Sequence, residues 1–221
     1  MRAKHVVLAR PRYDDVTKHT HRWSERLREL FEENGWTVTD CEIKDAMRDP
    51  VEKALRAAEM GSLFVFYGHG ATDHLEGQDG CAICDPKNVA LLGGRRIYVM
   101  ACHSAMDLGD AAVENYGALV YFGYADFVHG YWNDRDESRN MMNVLGQCVN
   151  SGMEAWLARP EQTAEEIEGE MRDVYKDWIN HYLKSSDITD RVVAFQFSQK
   201  LQHNNDALAL LGNKQTRLLP L

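Results

Sequence analysis

Two runs in this chain, "SLFVFYG" (Ser62–Gly68) and "RIYVMA" (Arg96–Ala101), are apolar at nearly every position. A strand with one face in water alternates apolar and polar residues, so unbroken runs of this kind need cover on both faces. A parallel sheet sandwiched between helices meets that need, and it dictates how the remaining chain must be arranged. "HVVLARP" (His5–Pro11), "TVTDCEI" (Thr37–Ile43) and "ALVYFGYA" (Ala118–Ala125) read as further strands.

Helical patterns fall between these strands. The stretch Thr20–Trp36 carries Trp23, Leu27, Leu30 and Phe31 on one face, with Gly35 as a stop signal. "DPVEKALRAAEMG" predicts a helix with Asp49 as N-cap, Pro50 at the first position and Gly61 past the end. "PKNVALLGG" (Pro86–Gly94) reads as a short helix, and "SAMDLGDAAVENYG" (Ser104–Gly117) as a longer one. "ATDHLEGQDGCAICD" (Ala71–Asp85) is polar and aperiodic, a loop or small hairpin. Beyond Tyr131 the pattern turns helical almost to the end, over Glu137–Leu157, Ala164–Leu183 and Thr189–Leu210, with breaks at Pro160 and around Ser185–Ser186. The expectation is an α/β fold: a three-layer sandwich with a mostly parallel sheet, helices on both faces and a helical C-terminal third. One domain spans residues 1–221, with the core sheet in about 5–130 and the helical remainder in 131–221.

With 34 acidic against 25 basic residues the net charge is −9, so the surface as a whole is no electrostatic footprint for nucleic acid. No apolar run approaches the ~20 residues of a membrane helix. The apolar run near the N-terminus stops at Arg10, short of the roughly 7–15 residues of a signal-peptide core. Five cysteines, an odd number, fit reduced thiols better than a disulfide framework. The expectation is a cytoplasmic protein that binds neither membrane nor nucleic acid.

In sheets of this kind the chemistry gathers at the carboxyl ends of the strands. Two such ends carry reactive residues, His69 in "LFVFYGHGATD" and Cys102 in "IYVMACHSAMDLG". A cysteine acts as a nucleophile through its thiolate, which a nearby histidine or a helix N-terminus favours. Gly68 and Gly70 flank the histidine and permit a tight turn. The amides of Gly70 and Cys102 are candidates to bind an oxyanion, so the constellation answers to acyl transfer by covalent catalysis. Taken alone, a cysteine after a strand is most often a small buried group, and a rim histidine a surface one. The pairing of the two is the signal.

"FVFYGHG" followed by "IYVMACHSA" resembles the caspase-like cysteine peptidases of clan CD, which include caspases, metacaspases, gingipains, legumains, separases and the bacterial CHAT proteins. In these an apolar strand ends in a histidine–glycine pair, here His69–Gly70, and the next core strand ends in the catalytic cysteine after a small residue, here Ala101–Cys102. "ACHSA" is similar to the surroundings of the metacaspase nucleophile. "GALVYFGYADF" (Gly117–Phe127) resembles the strand beside the substrate cleft, and "ALALLGNKQTRL" (Ala207–Leu218) the closing segment of gingipain-like domains, with Asn213–Lys214 where Asp-Pro is common. The resemblance implies a caspase-like fold and a cysteine endopeptidase with Cys102 as nucleophile and His69 as its partner. It further implies Gly70 and Cys102 amides at the oxyanion, a protein or peptide substrate, and for some relatives calcium or an activating protein partner. It places Met100, Tyr124 and Asp126 at the substrate pocket. Metacaspases carry an acidic residue where Met100 stands, so a basic P1 preference (P1 being the residue on the acyl side of the scissile bond) is not inherited from it. Asp126 is the nearest acidic candidate.

Other constellations are weaker. Cys81 and Cys84 form a single C-x2-C, whereas a structural zinc site wants two such knuckles or a clear histidine pair. His103 neighbours the proposed nucleophile but diverges from it, and Asp73 is a candidate to orient His69. No phosphate loop and no dinucleotide fingerprint is present, and the chemistry expected here needs no cofactor. Two other classes stay open: a catalytically silent scaffold in a bacterial signalling or defence assembly, and a small-molecule hydrolase or acyltransferase.

Overall fold

The computed structural model describes residues 4–132, 136–184 and 191–219. The break expected around Ser185–Ser186 and the helix start expected at Thr189 lie outside the described residues. Six strands form the main sheet: β1 (His5–Arg10), β2 (Thr37–Glu42), β3 (Leu63–Tyr67), β7 (Arg96–Met100), β8 (Val120–Tyr124) and β9 (Leu208–Gly212). Their order is β2-β1-β3-β7-β8-β9, parallel except for the antiparallel edge strand β9. Three short strands, β4 (His69–Gly70), β5 (Leu75–Glu76) and β6 (Ala82–Cys84), form a small antiparallel sheet where a loop or hairpin was expected.

Successive side chains of the unbroken apolar strands enter two separate cores, as the period of two requires. Leu63, Val65, Tyr67, Tyr98 and Met100 pack beneath α1 (Asp15–Glu33), α4 (Asp136–Ala158), α5 (Ala164–Lys184) and α6 (Arg191–Ala207). Phe64, Phe66, Ile97, Val99 and Tyr121 face α2 (Arg48–Ala57), the small sheet, and α3 (Asp107–Asp110) with the π turn Ala111–Asn115 that continues it. The result is three layers.

Several boundaries differ from the sequence expectation. Helix α1 begins five residues before Thr20, because Asp14 caps it: its carboxylate accepts from the Thr17 amide at 2.7 Å, and Thr17 Oγ1 accepts from the Asp14 amide at 2.9 Å. Asp49 lies inside α2 rather than capping it. Pro86–Gly94 contains only a 3-10 turn at Val89–Leu92. The third C-terminal helix stops at Ala207, and the next five residues pair with β8 from Val120↔Gly212 to Tyr124↔Leu208. Among the described residues no helix is long and apolar enough to cross a membrane.

Helices α1 and α4 meet where α4 has no side chain. A Cβ built on Gly146 would stand 2.4 Å from the Trp23 ring, which is buried. Gly146→Ala adds about 1 kcal/mol of helix propensity, but overpacking a filled core typically costs about 1–3 kcal/mol. A net loss of stability is expected, read as a lower urea midpoint at unchanged slope. An unchanged or higher midpoint would mean that α1 yields without strain.

Candidate active site

The chain leaves β1 for β2 on one side and returns to β3 on the other, so the switch point lies between the carboxyl ends of β1 and β3. Four segments leave the sheet on that rim: Pro11–Asp14 after β1, Gly68–Gly70 after β3, Ala101–Cys102 after β7 and Ala125–Gly130 after β8. Tyr67 is in register with Met100, and the Gly68 amide donates to the Met100 carbonyl at 3.1 Å. His69 and Cys102 thus leave neighbouring strands two residues beyond a matched pair. A Cβ on Gly70 would stand 3.0 Å from both the Ala101 Cβ and the Cys102 carbonyl oxygen, so any larger residue would push the two exits apart by a few tenths of an ångström.

Asp14 holds His69, through a 2.7 Å bond between His69 Nε2 and Asp14 Oδ2. Its other oxygen accepts from both the amide and the hydroxyl of Thr17, each at 2.7 Å. Partial burial works against the Asp14 charge, but the two Thr17 bonds and then His69 outweigh it, so the carboxyl is held below its usual range. An ionised carboxylate only accepts, so Nε2 carries the proton and Nδ1 is the ring's remaining basic nitrogen. The loop bearing Asp14 is itself tied to the small sheet. Gln78 accepts from the Arg12 amide at 2.9 Å and donates to its carbonyl at 3.2 Å, and Tyr13 Oη donates to Glu76 at 3.3 Å.

Asp73, a candidate to orient His69, instead bonds its neighbour His74 Nδ1 at 2.7 Å. The residue that the sequence reading missed is Asp14. Its trace was the N-cap pattern "DDVT", an Asp three residues before a Thr directly after a strand, which went unread because the apolar periodicity of α1 starts only at Trp23.

Cys102 does not sit at a helix N-terminus. Residues 101–106 form turns before the short α3, and His103 adopts a left-handed φ of 53°. The turn is strapped to the end of β8: the His103 amide donates to the Asp126 carbonyl at 3.1 Å, and the Ala105 amide to the Tyr124 carbonyl at 3.0 Å. His103 turns its ring against Phe127, centroids 4.3 Å apart. The Val128 amide donates to Cys102 Sγ at 3.2 Å. Burial pushes the Cys102 thiol above its ordinary range; the Val128 amide and its own amide oppose this, and Asp126 adds to it. The direction is opposite to the activation expected from a helix terminus. Burial raises Cys41 to about 11 and Cys84 to about 12, and all five cysteines are unpaired.

His69, Gly70 and Cys102 line one cleft of about 470 Å3, within the ~300–1,000 Å3 of small-ligand pockets. Val16, Phe127, Val128 and Trp132 supply its apolar walls, and His129 and Lys200 its polar ones. The substrate-pocket residues expected from sequence fare differently. Met100 and Tyr124 are each 2% exposed, and the Tyr124 hydroxyl is bonded to that of Tyr175 at 3.0 Å, so both belong to the core behind the cleft. Asp126 is exposed but does not line the cleft; its carboxylate accepts from the Phe127 amide at 2.7 Å. Cys81 is partly buried against Met47, and among the described residues no three His, Cys, Asp or Glu side chains come together in a way that could hold a metal ion.

The fold and rim together define an α/β chain with a mostly parallel six-stranded sheet, bearing a cysteine and an acid-tethered histidine at the ends of adjacent strands. No family model matches the chain, and no curated protein matches it.

Proposed function

We propose that the chain is a cysteine endopeptidase with a caspase-like sandwich fold, hydrolysing peptide bonds through Cys102 and His69. The observation that carries this reading is the convergence of the Asp14-held imidazole and the Cys102 thiol on one cleft at the switch-point rim. Five parallel strands with an antiparallel edge strand agree with it.

Burial favours the neutral thiol, so the resting site is read as holding no preformed thiolate. With a peptide in the cleft, the Cys102 proton passes to His69 Nδ1 as Sγ attacks the scissile carbonyl. The Gly70 and Cys102 amides receive the oxyanion; the Cys102 amide makes no hydrogen bond to another backbone group among the described residues. Collapse expels the amine, which takes the proton from His69 and leaves a thioester. His69 then draws a proton from water, hydroxide adds to the thioester carbonyl, and the thiol departs with that proton. Asp14 keeps the ring in the tautomer that this cycle needs. Its substrate is a protein or peptide, and an activating protein partner would act by lowering the barrier that burial places on the thiol.

That raised thiol is also the observation favouring a second reading, a catalytically silent caspase-like scaffold. Turnover of a mixed fluorogenic peptide library separates them. The peptidase reading expects hydrolysis by the wild type and none by Cys102→Ala. Equal, background hydrolysis by both chains, at every peptide, supports the scaffold.

A further inference from the structure

We propose that the cleft selects substrates with a carboxylate side chain at P1, and that Lys200 is the counter-charge that recognises it. This deepens the peptidase reading and rests on it.

Apart from the two histidines, the one formally charged group among the described residues lining the cleft is Lys200. The carboxylates nearby are engaged elsewhere. Asp14 is held by Thr17 and His69, and Asp126 bonds the Phe127 amide and lies 3.8 Å from His203. Lys200 is half-buried and has no carboxylate within 4.0 Å among the described residues; its ammonium lies 5.1 Å above the Tyr131 ring. Lys44, Lys53, Lys87 and Lys214 also stand without an acid among the described residues, but all four are exposed to water, whereas Lys200 is partly withdrawn from it. A half-buried ammonium over an aromatic face gains some stabilisation but still lacks an anion.

The helix that carries Lys200 is also tied to the cleft wall. One helical turn on, Asn204 is fully buried and grips the cleft wall, accepting from the His129 amide at 2.7 Å and donating to its carbonyl at 2.8 Å. Lys200 and the wall it faces are therefore set by the same stretch of α6. His129 stacks on His203, and burial, then His203 and Lys200, lower its pKa, so near neutral pH it offers a hydrogen-bonding ring and no second cation.

The choice among substrates follows. A basic side chain would bring a second cation to a cleft without an anion. An apolar one would desolvate Lys200 further and leave it unpaired. A carboxylate alone completes the site. This is the opposite polarity to a pocket built on Asp126.

The test uses peptidyl acyloxymethyl ketones identical except at P1, which is Asp, Glu, Asn, Gln, Leu or Arg, with the rate of Cys102 adduct formation as readout. Expected is a rate for Asp or Glu about ten-fold or more above its amide isostere, narrowing in molar salt. Lys200→Met should level acid and amide, Lys200→Arg should keep the preference, and Lys200→Glu should move it to Arg. Equal rates for acid and amide in the wild type, or an unchanged ranking in Lys200→Glu, would overturn the assignment of Lys200. Adducts at Cys102 without acid preference contradict only the specificity. No adduct at Cys102 with any probe contradicts the peptidase reading, and the specificity falls with it.

Discussion

His69→Ala is expected to slow peptide hydrolysis by between about 100-fold and 10,000-fold, the usual worth of a positioned acid–base group. Two proton transfers depend on this ring, one from the thiol and one to the departing amine. Here the first matters more than in a site with a preformed thiolate, because burial holds Cys102 in its neutral form. The loss should therefore shrink as pH is raised and hydroxide takes over the deprotonation. Initial rates of wild type and variant across pH 6–10 check this. A variant within a few-fold of wild type at neutral pH would remove His69 from the chemistry.

Asp14 allows a sharper separation, since it has two duties on two oxygens. Asp14→Ala removes both, and the lost N-cap alone costs about 1 kcal/mol of stability. Asn caps about as well as Asp, but its amide end, facing Nε2, can only donate. With the oxygen kept on Thr17, the imidazole proton must move to Nδ1, the nitrogen that the mechanism needs free. Asp14→Asn should hence melt close to wild type while turnover falls by up to roughly 10,000-fold, the loss seen when the same change leaves a catalytic histidine in the wrong tautomer. The two variants also differ in acid. The folded carboxyl of Asp14 lies below its unfolded value, so its ionised form stabilises the fold above the unfolded pKa of ~3.9, and that contribution fades as pH falls through the lowered one. Asp14→Asn lacks this limb, and its melting temperature should depend less on pH below ~4. Activity and stability falling together in Asp14→Asn would reduce Asp14 to a helix cap.

What the sequence made legible follows from where its physics is strongest. Unbroken apolar runs identified the buried strands, and the residues just past Tyr67 and Met100 had to surface on one rim, which brought His69 and Cys102 forward. Other features depend on partners distant in sequence. Leu208–Gly212 is rich in Leu and Ala, good helix formers, and becomes a strand because β8 would otherwise leave an open edge. Met100 and Tyr124 stand near the strand ends, yet strand alternation turns them toward α4 and α5 rather than the cleft. The raised thiol and the lone cation on α6 arise from packing among four separated segments, which no local pattern encodes.

The central claim is that one of five cysteines is a nucleophile and that His69 makes it so. Mass-spectrometric location of the adduct from an electrophilic peptidyl ketone, in wild type and in His69→Ala, tests it most directly. Modification is expected at Cys102, with Cys41, Cys81, Cys84 and Cys148 spared and the adduct largely lost without His69. Equal modification of Cys81, the other partly exposed thiol, or a Cys102 adduct that forms equally fast without His69, would contradict it.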